Sequence, residues 1–97
     1  MKEEKLLKII NNYGVDIQQR KLAEEVWELQ EAILEFEHDD YTYYPEVEKS
    51  LKEHIAEELA DVMVLIEQFK LYYGITAEEI VKIFWEKVDR TLERMEK

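Results

Sequence analysis

Two pairs of acidic residues have a spacing that places both carboxylates of each pair on one side of a helix. Glu25 and Glu28 are three residues apart, and so are Glu58 and Asp61; residues at this spacing are neighbours on a helical surface. Carboxylates held away from water are costly unless a cation neutralises them. All-oxygen sites of this kind suit Mg²⁺ or Mn²⁺ and leave coordination positions for water and phosphate.

The surroundings of Glu58 and Asp61 differ from an ordinary solvent-exposed helix face. Leu65 follows Asp61 by four residues on the same face, and the segment 55–66 is apolar nearly all round, which is typical of a buried helix. The nearest lysines along this helix are six and nine residues from the pair. We therefore expect a buried central helix whose two acids require a cation.

The elements that position these acids must be helices, because few residues in the chain break a helix. The 97 residues include 2 glycines and 1 proline, which disfavours a turn-rich sandwich or barrel. Asp16 and Thr76 follow the glycines and are predicted N-caps, each with a capping-box partner three residues later. We predict one all-α domain over residues 1–97, with helices at about 2–13, 17–38, 45–73 and 77–96.

The second predicted helix carries an apolar stripe, which we expect to face the core with Glu25 at its border. The stripe consists of Leu22, Val26, Leu29, Ile33 and Phe36. If the second and third helices form an antiparallel hairpin, the two acidic pairs can face each other. Apolar faces this broad exceed what a short monomer can cover, so we predict a homodimer or homotetramer in which the hairpins form a four-helix bundle.

The charge balance excludes several classes of partner. The chain has 24 Asp and Glu against 13 Lys and Arg, a net charge of −11, which repels nucleic acids and anionic lipid surfaces. No apolar run approaches the roughly 20 residues of a membrane span, and the N-terminus lacks a secretory pattern. We expect a cytoplasmic protein. The absence of cysteine excludes disulfide scaffolds and thiolate zinc sites.

The two acidic pairs lie within a longer pattern. Glu24-Glu25-Val26-Trp27-Glu28, followed by Glu58-Leu59-Ala60-Asp61, resembles the EExxE…ExxD motif of the MazG-type all-α nucleoside triphosphate pyrophosphohydrolases. The flanking segments are also similar, so that the resemblance extends over about residues 18–94. The 29 residues between the two half-motifs are at or just past the long end usual for the family, which indicates an enlarged hairpin loop.

The resemblance implies an enzyme that hydrolyses a nucleoside triphosphate to the monophosphate and pyrophosphate with Mg²⁺, or Mn²⁺ in its place. Nucleotide-pool cleansing is one role for such an enzyme. Members of the family usually work as dimers or tetramers. The resemblance implies that Glu24 is a catalytic residue that lies behind the metal ligands or orients the attacking water; an ordinary surface glutamate is the alternative. It assigns metal binding to the two acidic pairs, Glu25, Glu28, Glu58 and Asp61.

Four further residues are candidate substrate contacts. Lys87 and Arg90 resemble a Lys-x-x-Arg stretch that contacts phosphates in some family members; ion pairs at the surface are the alternative. Trp27 could stack on a base or pack in the core. Gln18 lies in the segment that leads into the first half-motif.

The acidic residues also agree with other hypotheses. A phosphoribosyl-ATP pyrophosphatase-like enzyme would share the fold and chemistry, and a non-catalytic acidic helical interaction module would use the acids for solubility or recognition. Glu35-x-x-His38 has the spacing of half a di-iron site, but the chain has no second copy. The tyrosine-rich loop 39–44 could cover a ligand or pack onto the helix ends.

Overall fold

A computed structural model describes residues 1–40 and 43–96, and this part of the chain is helical without strands. The all-α prediction is therefore confirmed. The prediction for the tyrosine-rich loop involves Tyr41 and Thr42, which lie outside the described residues. The helices are α1 (Lys2–Tyr13), α2 (Val15–His38), α3 (Pro45–Tyr72) and α4 (Ala77–Met95).

The break between α1 and α2 is a single residue, Gly14, whose φ of 91° suits glycine because it has no Cβ. The Gln18 amide already donates to the Gly14 carbonyl at 3.1 Å, so α2 begins at Val15. The prediction that Asp16 caps α2 is therefore wrong. Asp16 lies within the first turn, where its negative charge interacts favourably with the helix dipole.

The start of α4 confirms the second capping prediction. The Glu79 amide donates to the Thr76 hydroxyl oxygen at 3.1 Å, and the Thr76 amide donates to the Glu79 carboxylate at 3.5 Å. This reciprocal pair satisfies two amides that a helix start otherwise leaves without partners.

Helices α2 and α3 form the predicted antiparallel hairpin. Gln18 near the start of α2 bonds Gln68 near the end of α3 at 2.9 Å. Farther along α2, Glu35 lies 3.9 Å from His54, which is near the start of α3. Residue numbers increase along α2 from the first contact to the second and decrease along α3, so the two helices are antiparallel. Helix α1 packs mainly on α3 and also on α2.

The face that α2 buries differs from the predicted one. Its buried residues are Gln18, Glu25 and Ala32. Of the predicted stripe, Leu22, Leu29 and Phe36 are half-buried, whereas Val26 and Ile33 are exposed. The reason is that α1 and α3 both pack against the side of α2 that carries Gln18 and Glu25, so the apolar stripe is covered along one edge only. Glu25 therefore lies inside the helix contact rather than at its border.

Helix α4 differs from the other three because it makes at most marginal contact with them, and none of its residues is buried. It follows α3 after a short turn at Gly74, which also has positive φ, 67°. In the described part of the chain, no helix combines the length and the apolar character that crossing a membrane requires.

Candidate metal centre

Three of the four predicted metal ligands meet in the middle of the hairpin. Glu25 of α2 and Glu58 and Asp61 of α3 each offer one carboxylate oxygen, and these atoms lie within 4.8 Å of one another. Glu25 is buried, Glu58 is half-buried and Asp61 is exposed. An acidic cluster that could hold a metal ion is therefore present, open to solvent on the side of Asp61.

The buried carboxylates are only half satisfied. Oε1 of Glu25 lies 3.1 Å from the Lys21 ammonium, and Oε1 of Glu58 lies 3.4 Å from Nε2 of His54. Oε2 of each residue is buried and has no hydrogen-bond partner. Glu25 as a whole is only 6% exposed, so water has little access to its carboxylate. Because a buried polar atom without a partner costs free energy, two such atoms beside a third carboxylate indicate a place where a cation would be stabilising.

The charge of Lys21 keeps Glu25 ionised. The Lys21 ammonium holds the pKa of the Glu25 carboxyl below its usual value, although burial alone would raise it. In return, the Glu25 carboxylate raises the pKa of Lys21. Glu25 thus stays in the anionic form that a metal ligand must have.

Glu28, the fourth predicted ligand, lies beside the triad and is exposed. The pKa of its carboxyl is raised, first by its contact with Glu25 and then by partial desolvation and the charge of Glu58. These neighbours place Glu28 next to both buried acids. It does not belong to the set of three oxygens within 4.8 Å, so it stands at the edge of the cluster.

The sequence alone did not identify Lys21 and His54 as the partners of the buried carboxylate oxygens. Lys21 precedes Glu25 by four residues, and His54 precedes Glu58 by four residues, a spacing that lets side chains meet on a helix. Lys21 lies on α2, whereas the lysines close in sequence to Glu58 and Asp61 are those of α3. The i, i+4 spacing was the available signal for both.

A cavity of about 460 Å³ adjoins the cluster between α1, α2 and α3. Apolar side chains form most of its wall, with Tyr13 from α1 and the hydrogen-bonded pair Gln18 and Gln68 contributing polar groups. Glu25 and Asp61 also line it. An uncharged group held in this cavity would lie beside the carboxylates.

None of the other predicted site residues belongs to the set of three carboxylates. Glu24 is exposed on α2. Trp27 is 61% exposed and lines a separate hollow with Ile33 and Leu34, so one chain does not place it in the core. Lys87 and Arg90 are exposed on α4, which does not pack on the hairpin. Of the four candidate substrate contacts, only Gln18 lies next to the carboxylates.

Comparison with known proteins adds no family to this description: the chain matches no protein-family model, and neither curated proteins nor solved structures give a match. The geometry of the cluster and the cavity must therefore carry the functional proposal.

Proposed function

We propose that the protein is a Mg²⁺-dependent nucleoside triphosphate pyrophosphohydrolase, with the site formed by Glu25, Glu58 and Asp61 and the adjoining cavity. The observation that carries the proposal is the pair of buried, unpartnered carboxylate oxygens next to a third acid. The motif that these residues share with the MazG-type enzymes supports the reaction type. Mn²⁺ has similar ligand preferences and is the expected substitute.

The charge of the protein is consistent with a metal that joins substrate and site. A triphosphate is densely negative, and the chain carries −11, so the two repel each other unless a divalent ion lies between them. Bound Mg²⁺ would polarise the phosphoryl oxygens and lower the pKa of a bound water for attack at the α-phosphorus. The expected products are a nucleoside monophosphate and pyrophosphate.

The chain's own residues have distinct tasks in this scheme. Glu25 and Glu58 supply the buried oxygens, and Asp61 supplies an accessible one from the solvent side. Lys21 and His54 orient the two buried carboxylates by holding their other oxygens, as outer partners commonly do for metal ligands. Glu28, at the edge of the cluster, completes the ligand set once a cation offsets its repulsion from Glu25.

The cavity supports a nucleotide as the substrate. Its mostly apolar wall suits the flat, uncharged base, while the Gln18 and Gln68 amides offer hydrogen bonds at one end. Small-molecule sites commonly combine an apolar wall with a few fixed polar groups. The phosphates would then extend from the cavity towards Asp61 and Glu28.

The test is a panel of canonical, deoxy and modified nucleoside triphosphates incubated with protein and Mg²⁺, with pyrophosphate as the measured product. Glu58→Gln keeps the side-chain size but removes the charge, and it should abolish product formation. Glu53→Gln is the matched control because Glu53 is an exposed acid on the same helix. It should retain the wild-type rate.

Four outcomes would contradict all or part of the proposal. No pyrophosphate from any triphosphate with folded, metal-loaded protein would overturn the proposed function. Release from phosphoribosyl-ATP but from none of the panel would instead indicate the related pyrophosphatase. Full activity in Glu58→Gln would leave the reaction in place but refute the assigned site. Calorimetry without saturable Mg²⁺ or Mn²⁺ binding would favour the acidic interaction module.

A further inference from the structure

Helix α4 carries an apolar stripe that no other part of the described chain covers. Ile80, Phe84, Leu92 and Met95 are exposed, and Val88 between them is half-buried. They recur every three or four residues and therefore share one face. A monomeric protein rarely leaves such a continuous apolar surface in water, so this stripe is an interaction surface.

A second apolar surface lies on one side of the α2–α3 hairpin. We call it the hairpin flank and define it by Val26 and Ile33 of α2 and Leu59, Met63 and Ile66 of α3, all exposed. With 3.6 residues per turn, both groups are rotated in the same sense from the buried face of their helix. In an antiparallel pair, this puts them on the same side of the hairpin.

The metal centre opens on the opposite side of the hairpin. Lys21, Glu28 and Asp61 are rotated in the other sense from the buried faces, and α1 also packs on that side, where it shares the cavity with Asp61. The hairpin flank is therefore free of α1 and separate from the site. A partner could cover it without closing the site.

The chain exposes more surface than a compact monomer of the same mass. The chain exposes 8033 Å², whereas a compact monomer of 11.8 kDa exposes about 5,900 Å². Its radius of gyration is 16.9 Å, against about 12.5 Å for a compact domain of this length. The excess of about 2,100 Å² per chain, or about 4,200 Å² for two chains, falls in the range of total area that permanent homodimers bury.

We propose that two copies of the chain form a two-fold symmetric dimer in which α4 of each copy packs its apolar stripe on the hairpin flank of the other. One reciprocal exchange covers both apolar surfaces with a single kind of partner, as a closed two-fold interface requires. Pairing of α4 with α4 would leave the hairpin flank exposed, and pairing of hairpin with hairpin, as the sequence predicts, would leave the stripe of α4 exposed. Folding of α4 onto its own hairpin would require the chain to depart from the described structure, in which α4 makes at most marginal contact with it.

The charges on α4 fit this arrangement. Lys87, Arg90 and Arg94 lie along one edge of the apolar stripe, as the helical spacing requires. The part of the chain up to Thr76 contains 18 of the 24 acidic residues. A basic edge of α4 packed against the partner's acidic hairpin offsets the repulsion between two strongly negative chains. In this dimer Lys87 and Arg90 border the interface rather than the phosphates.

The first test is the mass in solution, measured by sedimentation equilibrium at micromolar concentration without metal or substrate. The wild-type chain should have twice the 11.8 kDa of one copy. Phe84→Glu and Ile66→Glu, one on each surface, should both give the monomer mass. Lys82→Glu, on the opposite face of α4, is the matched control and should remain dimeric. A monomeric wild-type protein would overturn the proposal.

The second test identifies which surfaces meet and does not depend on weakening the dimer. The chain has no cysteine, so Ile33→Cys and Leu92→Cys can be prepared as separate proteins, refolded together and oxidised. A disulfide-linked pair of one chain of each kind should predominate. Predominance of Leu92→Cys homodimers would mean that α4 pairs with α4, which contradicts the exchange.

The double variant Ile33→Cys with Leu92→Cys serves as the control for folding back. A disulfide within one chain, at monomer mass on a non-reducing gel, would show that α4 covers its own hairpin and would overturn the proposal. The two-chain species expected instead carries two such links. None of these measurements involves activity, so the dimer and the proposed reaction can fail independently.

Discussion

Helices α2 and α4 are similar in residue character and opposite in environment. Both are amphipathic and rich in glutamate, yet α2 buries Glu25 in the contact with its neighbours and α4 buries nothing. Amphipathicity thus predicts that each segment is a helix but does not say what will cover it. In α2, the helices that pack on it enclose a carboxylate; in α4, an apolar stripe stays in water.

The hairpin and α4 each hold side chains in an environment that is unfavourable for them. In the hairpin, Glu25 and Glu58 each keep one buried oxygen without a partner, an arrangement that a cation would relieve. In α4, exposed side chains such as Phe84 and Leu92 form a surface that a protein partner would relieve. The unpartnered carboxylate oxygens thus indicate a cation, and the exposed apolar side chains indicate a protein partner.

The largest expected effect is a loss of activity when an aspartate of the hairpin is neutralised, compared with neutralising an aspartate of α4. Asp61→Asn should lower the rate of pyrophosphate release by at least about 100-fold, since even the outer partners of metal ligands contribute 10- to 100-fold. Asp89→Asn makes the same chemical change on α4 and should leave the rate within about twofold. Comparable losses in both variants would break the distinction between the regions.

Metal binding should stabilise the hairpin selectively. At a Mg²⁺ concentration of about 100 times its Kd, the free energy of unfolding should rise by about 2.7 kcal/mol, seen as a higher Tm in differential scanning calorimetry. Chelation should reverse the increase. Glu58→Gln protein should show little response to Mg²⁺; a rise equal to that of the wild type would show that the ion binds elsewhere.

Loss of the α4 cap should affect α4 and not the hairpin. Thr76→Ala removes the hydroxyl that accepts from the Glu79 amide, and such a cap contributes about 1 kcal/mol. Hydrogen exchange of the first-turn amides of α4 should become about fivefold faster, as that free energy implies. Faster exchange of equal size in α2 or α3 would show that the regions are energetically coupled.

The smallest effect concerns the pH dependence of the metal-free protein. The pKa of the Glu28 carboxyl in the folded protein is raised above its ordinary value, so folding favours its protonated form. Its contribution to stability is therefore present below that value and is lost as the pH rises through the raised pKa. Glu28→Gln should remove this loss, and its Tm relative to the wild type should increase between about pH 4 and pH 7.

The same pH series has an internal check in Glu25, whose pKa is lowered mainly by Lys21. Lys21→Met should weaken the stability that Glu25 contributes above its ordinary pKa, so the variant should lose stability most near neutral pH and least in acid. The measurement is the Tm in EDTA. Equal losses at both ends of the range would contradict an ionic role for Lys21.

Much of the fold was predictable because helix punctuation is local. Gly14, Gly74 and Pro45 separate the helices at or within two residues of the predicted boundaries, and the Thr76 capping box follows from residues three apart. The face that α2 buries was not predictable in the same way. Val26 and Ile33 satisfy the apolar period, but the positions of α1 and α3 bury Glu25 instead.

The sequence by itself determined the helices and the acidic pairs, because φ preferences, capping and the spacing on one helix depend only on residues close along the chain. Only the tertiary structure decided that Glu25, Glu58 and Asp61 meet, and that Lys21 and His54 leave one oxygen of each buried acid unpaired. Glu25 is more than 30 positions from Glu58 and Asp61 along the chain, and the burial of an oxygen depends on every helix packed around it.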